Sequence, residues 1–132
     1  MEVQKKLIVY EDARGTILDV IDSINFNGAT VLTSNSGSVR GNHFHKKTIQ
    51  YAFILEGKIL AKSKIVGRKL ESVILEPGDL IKHNICEAHL FEAIEDSKFI
   101  VFSSGLRTGK DYELDTFRLK CSIEDFSDAD MR

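Results

Sequence analysis

Hydrophobic and polar residues alternate along most of this chain in short runs, the pattern of β-strands with one buried face. No apolar helical period is sustained over ten or so residues. The predicted strands are Leu7–Tyr10, Thr16–Ile21, Ala29–Thr33, Val39–His45, Gln50–Leu55, Lys58–Val66, Leu70–Leu75, Leu80–Lys82, Ala88–Ile94, Lys98–Ser103 and Tyr112–Lys120. In Lys58–Val66 the alternation of apolar and polar residues is weak, so this strand is expected to be more exposed than the others. Many short strands separated by turns favour an all-β fold, a sandwich or a barrel.

The domain organisation follows from the same pattern. No internal repeat or linker interrupts the strands, so we expect a single domain over residues 1–120. Residues 121–132 contain few apolar side chains and several acids, and they predict an acidic C-terminal tail that can fray.

The run Tyr51–Leu55 is apolar on both faces, unlike a strand with one solvated side. If Gln50, Ala52 and Ile54 face the interior, then Tyr51 and its alternate neighbours need cover from a second sheet or a partner subunit. We therefore expect a homodimer.

Composition narrows the class of protein. The 132 residues include 18 Lys and Arg against 20 Asp and Glu, a net charge of -2 without a basic stripe, so no nucleic-acid partner is expected. The apolar runs are far shorter than the ~20 residues of a membrane span. Two cysteines give no disulfide framework, and the first residues lack a signal-peptide pattern. These features predict a soluble cytoplasmic protein with no membrane contact.

The chemistry of the chain is concentrated around two histidines. His43 and His45 lie two residues apart on a predicted strand, so both imidazoles point to one face. Gln50 begins the next strand, and His89 is the preferred third histidine. His83 is its competitor, but it adjoins Asn84 in what resembles a loop.

This set of side chains allows several interpretations. Neutral imidazoles bind zinc, iron, nickel, copper and manganese, so His43, His45 and His89 with Gln50 form a candidate metal site. The same imidazoles could instead transfer protons near neutral pH without a metal. The simplest alternative is a pair of surface histidines on an edge strand.

The spacing of these residues resembles the two signatures of the cupin superfamily. The first signature is matched by Gly37, His43, His45, position 50 and Gly57. The second resembles Pro77-Gly78-Asp79 followed by a histidine ten residues after the aspartate, at His89. This resemblance implies a double-stranded β-helix, a small jelly-roll-like barrel. The chain departs from the pattern at Gln50, where glutamate is usual, and at Ala93, where many members have asparagine.

A narrower resemblance concerns the substrate. The segment Arg40-Gly41-x-His43-x-His45-Lys46 is similar to the motif of nucleotide-sugar 3,4-ketoisomerases. Asp12-x-Arg14-Gly15 is similar to a motif of dTDP-4-dehydrorhamnose 3,5-epimerases, the RmlC-like cupins, although a simple turn also explains it. Arg40-Gly41-x-His43 also resembles the cupin domain of capsular polysaccharide enzymes. The resemblance implies a nucleotide-activated deoxy-keto-sugar as substrate.

Carried onto this sequence, the resemblance implies roles for individual residues. His43 is expected to remove a proton beside the sugar ketone, and His45 to assist or return it. Tyr51 or Tyr112 is a candidate donor to the enolate oxygen. Arg40 and Lys46 are candidates for binding the diphosphate. Strict alternation places Arg40 opposite His43, so it joins the site only if Gly41 forms a bulge.

Three functions remain open on the sequence. The first is an isomerase or epimerase acting by histidine acid–base chemistry, with or without a divalent metal. The second is a metal-dependent oxygenase or lyase. The third is a sugar-binding cupin without turnover.

Overall fold

The structure is a computed structural model and describes residues 1–105 and 113–132. Its strands are β1 (Glu2–Lys5), β2 (Ile8–Asp12), β3 (Gly15–Leu18), β4 (Gly28–Ser34), β5 (Val39–Phe44), β6 (Ile49–Glu56), β7 (Ile59–Lys64), β8 (Glu71–Leu75), β9 (Asp79–His83), β10 (Ala88–Ala93), β11 (Ser97–Ser104) and β12 (Phe117–Arg118). Two short 3-10 helices follow, Ile123–Asp125 and Asp128–Met131. The all-β prediction is confirmed.

Two antiparallel sheets of five strands form the body of the molecule. One has the order β1-β9-β6-β11-β4 and the other β12-β5-β10-β7-β8, while β2 and β3 form a separate two-stranded hairpin. Apart from β7 and β8, neighbours within these two sheets are distant in sequence, as in a jelly roll. The double-stranded β-helix expected from the cupin resemblance is therefore present.

The observed strands differ from the predicted ones at three places. β1 was not predicted, because its sequence EVQK has no apolar alternation, and it forms by pairing with β9. β7 was expected to be exposed, but its inward side chains are buried because it lies between β10 and β8. Of the described part of the predicted strand Tyr112–Lys120, which is residues 113–120, only Phe117–Arg118 is a strand. Tyr112 and most of the predicted loop Gly105–Lys110 lie outside the described residues.

The main core fills the space between the two sheets. It contains Ala52, Ile54, Ile59, Ala61, Leu75, Ile81, Phe99 and Val101. The alternation predicted for β6 is correct, since Gln50, Ala52 and Ile54 are all buried. Phe53, on the other face, is also buried within this chain, whereas Leu55 is exposed.

A second, smaller core lies on the outer face of β5 and β10. Phe44 and Ala88 pack there against Ile123 and Phe126 of the C-terminal segment. Residues 121–132 therefore differ from the expected frayed tail, because two apolar side chains anchor them to the sheet. This packing buries the C-terminal end of β5 on both faces, with Phe44 outside and His43 inside.

Within the described ranges, no helix is both long and apolar enough to cross a membrane.

Candidate active site

Three histidines meet between the two sheets. His43 and His45 lie on or directly after β5, and His89 lies opposite His43 on the neighbouring strand β10. The ring centroids are 4.8 Å apart for His43 and His45, 4.8 Å for His43 and His89, and 5.4 Å for His45 and His89. One ring nitrogen from each lies within 4.8 Å of the others. All three side chains are buried, so they are not histidines of an exposed edge strand.

Backbone carbonyl groups orient two of these rings. His45 Nδ1 lies 2.7 Å from the carbonyl oxygen of Asp115, and His89 Nδ1 lies 3.0 Å from that of Glu87. A carbonyl oxygen only accepts hydrogen bonds, so each Nδ1 carries the proton. In the neutral ring this tautomer leaves the lone pair on Nε2, which is the form that binds a metal or accepts a proton.

The carboxylate of Asp115 supports this arrangement. It accepts hydrogen bonds from the backbone amides of Lys46 and Lys47 and from Thr48 Oγ1, at 2.7 to 3.0 Å. Burial raises the pKa of this carboxyl group, but the hydrogen bonds outweigh burial and lower its pKa below the ordinary value. The charged carboxylate thus fixes the turn after His45 and the carbonyl group that holds its ring.

A β-bulge brings Arg40 to the face of the histidines. Gly41 and Asn42 have φ of 95° and 56°, and the pairing with β10 shifts register at this point. The extra residue offsets the alternation that would otherwise direct Arg40 away from His43. Arg40 lines the same cavity as His43, so Gly41 does form the bulge that Arg40 needs to join the site.

The cavity has a volume of about 330 Å³ and opens next to the histidines. Its residues are Leu32, Val39, Arg40, Gly41, His43, Gln50, His89, Phe91, Phe99, Val101 and Arg118. His43 and His89 line it directly together with Gln50, whereas His45 lies behind them. Two guanidinium groups, an amide and two imidazoles thus border a partly apolar chamber, the usual mixture in a small-molecule site.

The sequence profile of one family, the polysaccharide biosynthesis C-terminal domain, matches residues 10–102. This chain belongs to that family. No curated protein matches the sequence of this family member.

Several solved structures have the same fold. The dTDP-4-dehydrorhamnose 3,5-epimerase from Sulfolobus tokodaii is 23% identical, with a TM-score of 0.73 over 93% of this chain and 83% of that one. A sugar 3,4-ketoisomerase from Thermoanaerobacterium thermosaccharolyticum, solved with TDP, is 18% identical, with a TM-score of 0.74 over 90% and 88%. A 3,4-ketoisomerase from Helicobacter canadensis is 17% identical, with a TM-score of 0.75 over 89% and 90%. The fold of this family member is therefore that of the RmlC-like cupins.

The fourth histidine of the chain also lies at this site. His83 is the last residue of β9 rather than part of a loop, and its ring stacks on His89 with centroids 4.4 Å apart. Neither of its ring nitrogens has hydrogen-bond geometry in the described part of the chain, but Nδ1 lies 3.4 Å from Oε1 of the buried Glu87 side chain. Burial, followed by repulsion from the neighbouring His89, holds the pKa of His83 well below its ordinary value. His83 therefore packs behind His89 as a neutral ring.

Two predicted site residues lie elsewhere. Tyr51 points to the opposite face of β6 from Gln50 and borders a separate cavity with Leu80 and Lys82. The catalytic role predicted for Tyr51 is not supported there, because adjacent residues of a strand face opposite ways. Lys46 is not among the cavity residues, and its Nζ lies 4.5 Å from the centre of the Phe117 ring. Its backbone amide instead contributes to the Asp115 turn.

Among the charged residues of the cavity, one was not predicted from the sequence. Arg118 lies on β12, directly opposite His43 across the sheet. The predicted strand Tyr112–Lys120 contained it, but alternation along that strand does not reveal which strand lies beside it. Cys86, with φ of 59°, lies at the turn before β10, where its amide donates a hydrogen bond to the carbonyl oxygen of His45.

Proposed function

We propose that this protein is an isomerase or epimerase acting on a nucleotide-activated deoxy-keto-sugar through histidine acid–base chemistry. One observation carries the proposal: His43 and His89 line a cavity that two arginines also border. An imidazole suits proton transfer at neutral pH, and guanidinium groups suit a diphosphate. The structural neighbours that catalyse such reactions on dTDP-sugars support this substrate class.

In the proposed reaction, the His43 imidazole removes a proton from the carbon beside the sugar ketone. The electron pair of that C–H bond forms a carbon–carbon double bond, and the carbonyl oxygen becomes an enolate. Gln50, which borders the same cavity, is placed to donate its amide N–H to that oxygen. Returning the proton to the opposite face of the carbon gives an epimer. Returning it instead to the former carbonyl carbon, while the hydroxyl proton of the first carbon passes to the enolate oxygen, exchanges the positions of the ketone and the hydroxyl group.

His89 is the best candidate for the second proton transfer. The rings of His45 and His89 are both held by a backbone carbonyl group, but His89 is among the residues that line the cavity and His45 is not. We therefore assign His45 a supporting position rather than the direct role implied by the family resemblance.

The same side chains fit a divalent metal ion. His43, His45 and His89 gather three ring nitrogens within 4.8 Å, and the carbonyl groups at two Nδ1 atoms favour the tautomer that metal-binding histidines use. Gln50 adds a weaker amide oxygen. Zinc, iron, manganese and nickel all accept such donors, and a bound ion supplies Lewis-acid polarisation of a carbonyl group. A histidine that ligates a metal is not a free base, so metal occupancy and catalysis by His43 exclude each other.

Metal content separates these two alternatives. Elemental analysis of the purified protein should show whether a metal ion is bound stoichiometrically. Cobalt substitution followed by visible absorption gives a readout independent of activity. If the histidines bind zinc, zinc affinity should fall as the pH drops below about 6.5, because protons compete for the imidazoles. A zinc titration that is flat between pH 5 and pH 8 would contradict metal binding by this cluster.

The catalytic proposal is tested by deuterium exchange. Incubation with TDP-4-keto-6-deoxyglucose in D2O should replace sugar C–H protons, as followed by NMR. We expect His43→Asn to slow this exchange by about 100-fold or more, the usual contribution of a general base. Tyr51→Phe is the control and should exchange normally, because Tyr51 faces away from the cavity. Unchanged exchange in His43→Asn would eliminate the proposal.

Two other functions predict different results. A metal-dependent oxygenase or lyase would lose activity on chelation and regain it with iron or manganese. A sugar-binding cupin would bind the nucleotide sugar without exchange, and its histidines would tolerate Asn or Gln.

We further propose that the protein assembles as a homodimer. The hairpin β2–β3 supports this, because Leu7, Ile8, Val9, Tyr10 and Ile17 are all more than half exposed. Apolar residues clustered in this way usually contact another protein surface.

A further inference from the structure

The residue that sequence reasoning missed, Arg118, has a specific position at the cavity. Its backbone pairs with that of His43, and residues directly opposite each other in adjacent strands point to the same face. The side chain accordingly lines the cavity next to His43. Arg118 is thus the second cation beside Arg40.

The guanidinium group of Arg118 is already engaged by a carboxylate. Nη1 donates to Glu113 Oε2 at 2.7 Å and Nη2 to Glu113 Oε1 at 2.8 Å. This two-pronged contact has the geometry that phosphate oxygens also adopt with arginine. Hydrogen bonding from Arg118 lowers the pKa of Glu113, so the carboxylate stays charged at neutral pH. Glu113 therefore occupies the position that an anionic ligand would take.

Arg40 is held in a different way. Its Nε donates to Ser34 Oγ at 2.9 Å and its Nη2 to the carbonyl oxygen of Thr33 at 2.8 Å. These neutral partners orient the guanidinium group without cancelling its charge. Within the described ranges, no carboxylate is among the residues that line the cavity, and its two arginines are Arg40, held by neutral groups, and Arg118, paired with Glu113.

We propose that Arg118 and Arg40 together bind the phosphate groups of the ligand, and that Glu113 is an internal competitor which the ligand displaces from Arg118. The assignment rests on the proposed function in one respect, because it takes the anion to be the diphosphate of a nucleotide sugar. Separating Glu113 from Arg118 should cost little free energy. Glu113 and Arg118 are both more than half exposed, and exposed ion pairs contribute little to stability.

The test measures binding of inorganic pyrophosphate and of TDP by calorimetry at fixed ionic strength. Arg118→Gln should weaken pyrophosphate binding by about tenfold or more, the usual loss for charged hydrogen bonds, and Arg118→Lys should restore only part of it. Glu113→Gln should tighten binding by up to about fivefold, because the competing carboxylate is gone. Glu56→Gln removes the acid of another exposed ion pair, with Lys98, and should change nothing.

The opposite signs of the Arg118 and Glu113 effects are the distinctive result. Equal affinity in wild type, Arg118→Gln and Glu113→Gln would overturn the inference, and so would the absence of measurable pyrophosphate binding in all of them. Weaker binding in Glu113→Gln would overturn the competitor role, because it would show that Glu113 only positions Arg118. If the binding pattern holds but no deuterium exchange occurs, the anion site stands and the proposed catalytic function fails.

Discussion

Gly41 determines whether Arg40 and His43 share a cavity. Its φ of 95° is rare for residues with a side chain, and an added Cβ would lie 2.8 Å from the carbonyl oxygen of His89. The sequence showed that Arg40 needs a bulge here to reach the site. Only the pairing with β10 shows that the bulge forms and that the backbones approach so closely.

Gly41→Ala should therefore destabilise the protein in two ways, through backbone strain and through the clash with β10. We expect the free energy of unfolding to fall by about 2–4 kcal/mol, measured by urea denaturation. Gly67→Ala is the matched control, because Gly67 also has positive φ but an added Cβ meets nothing within 4 Å. Its loss should be about 1 kcal/mol. Equal losses in the two variants would show that the close approach to β10 is unimportant.

His83 predicts a dependence of stability on pH. Its folded-state pKa lies well below the ordinary value of 6.5, so below that pH the unfolded chain takes up a proton that the folded protein does not. Stability should consequently be lost as the pH falls through 6.5. For this one group, the loss between pH 7 and pH 5 has an upper limit of about 2 kcal/mol, reached if the folded ring stays neutral throughout.

The measurement compares unfolding of wild type and His83→Gln at pH 7 and pH 5, both in a chelator so that metal binding does not contribute. The other three histidines are present in both proteins. The difference between the two proteins in how the free energy of unfolding changes with pH therefore reports on His83. We expect the variant to lose less stability on acidification, whatever its stability at pH 7. Parallel pH profiles would mean that His83 takes up its proton in the folded state.

At the scale of elements, β5 depends on packing on both of its faces. The inner face carries His43, while the outer face carries Phe44. The ring centroid of Phe44 lies 5.2 Å from that of Phe126 and 5.3 Å from that of Phe117. The C-terminal segment thus covers the back of the strand that presents the histidines. Its acidic composition concealed this role, because Ile123 and Phe126 are widely spaced among polar residues.

Phe126→Ala should therefore destabilise the whole domain rather than release a tail. We expect a loss of about 3–5 kcal/mol in the free energy of unfolding, as for other buried aromatic side chains. Leu114→Ala provides the control, because Leu114 is 69% exposed and its loss should stay within about 0.5 kcal/mol. A small effect of Phe126→Ala would indicate that residues 121–132 contribute little to folding, as the sequence suggested.

At the scale of the whole molecule, the homodimer proposal depends on the β2–β3 hairpin. Its two strands form a separate two-stranded sheet, yet they carry several exposed apolar side chains. The sequence placed the expected contact at Tyr51–Leu55, where Phe53 is in fact buried within the chain. The structure moves the best candidate surface to the hairpin.

Val9→Lys should shift the protein toward monomer, as measured by sedimentation velocity over a range of concentrations. A lysine charge in the contact would cost desolvation energy that the apolar side chain does not. Val31→Lys is the control, since Val31 on β4 is 62% exposed against 59% for Val9. A wild-type protein that is monomeric at all concentrations would refute the dimer. An equal effect of both variants would refute the assignment to the hairpin.

The sequence by itself determined the strand content, the shared face of His43 and His45, and the candidates Gln50 and His89. These features follow from local rules, because side chains alternate along a strand and turn residues mark its ends. The strand β1 escaped these rules because its pairing with β9, and not its own pattern, makes it a strand.

Only the tertiary structure decided which distant residues complete the site. It placed His83 behind His89 and Arg118 beside His43, and it turned Tyr51 away from the cavity. Such neighbours depend on which strands pair and in which register, and a single strand's periodicity contains no information about its partners. Gly41 illustrates both contributions. The sequence shows a glycine that can adopt the positive φ of a bulge, and the register with β10 shows that the bulge forms there.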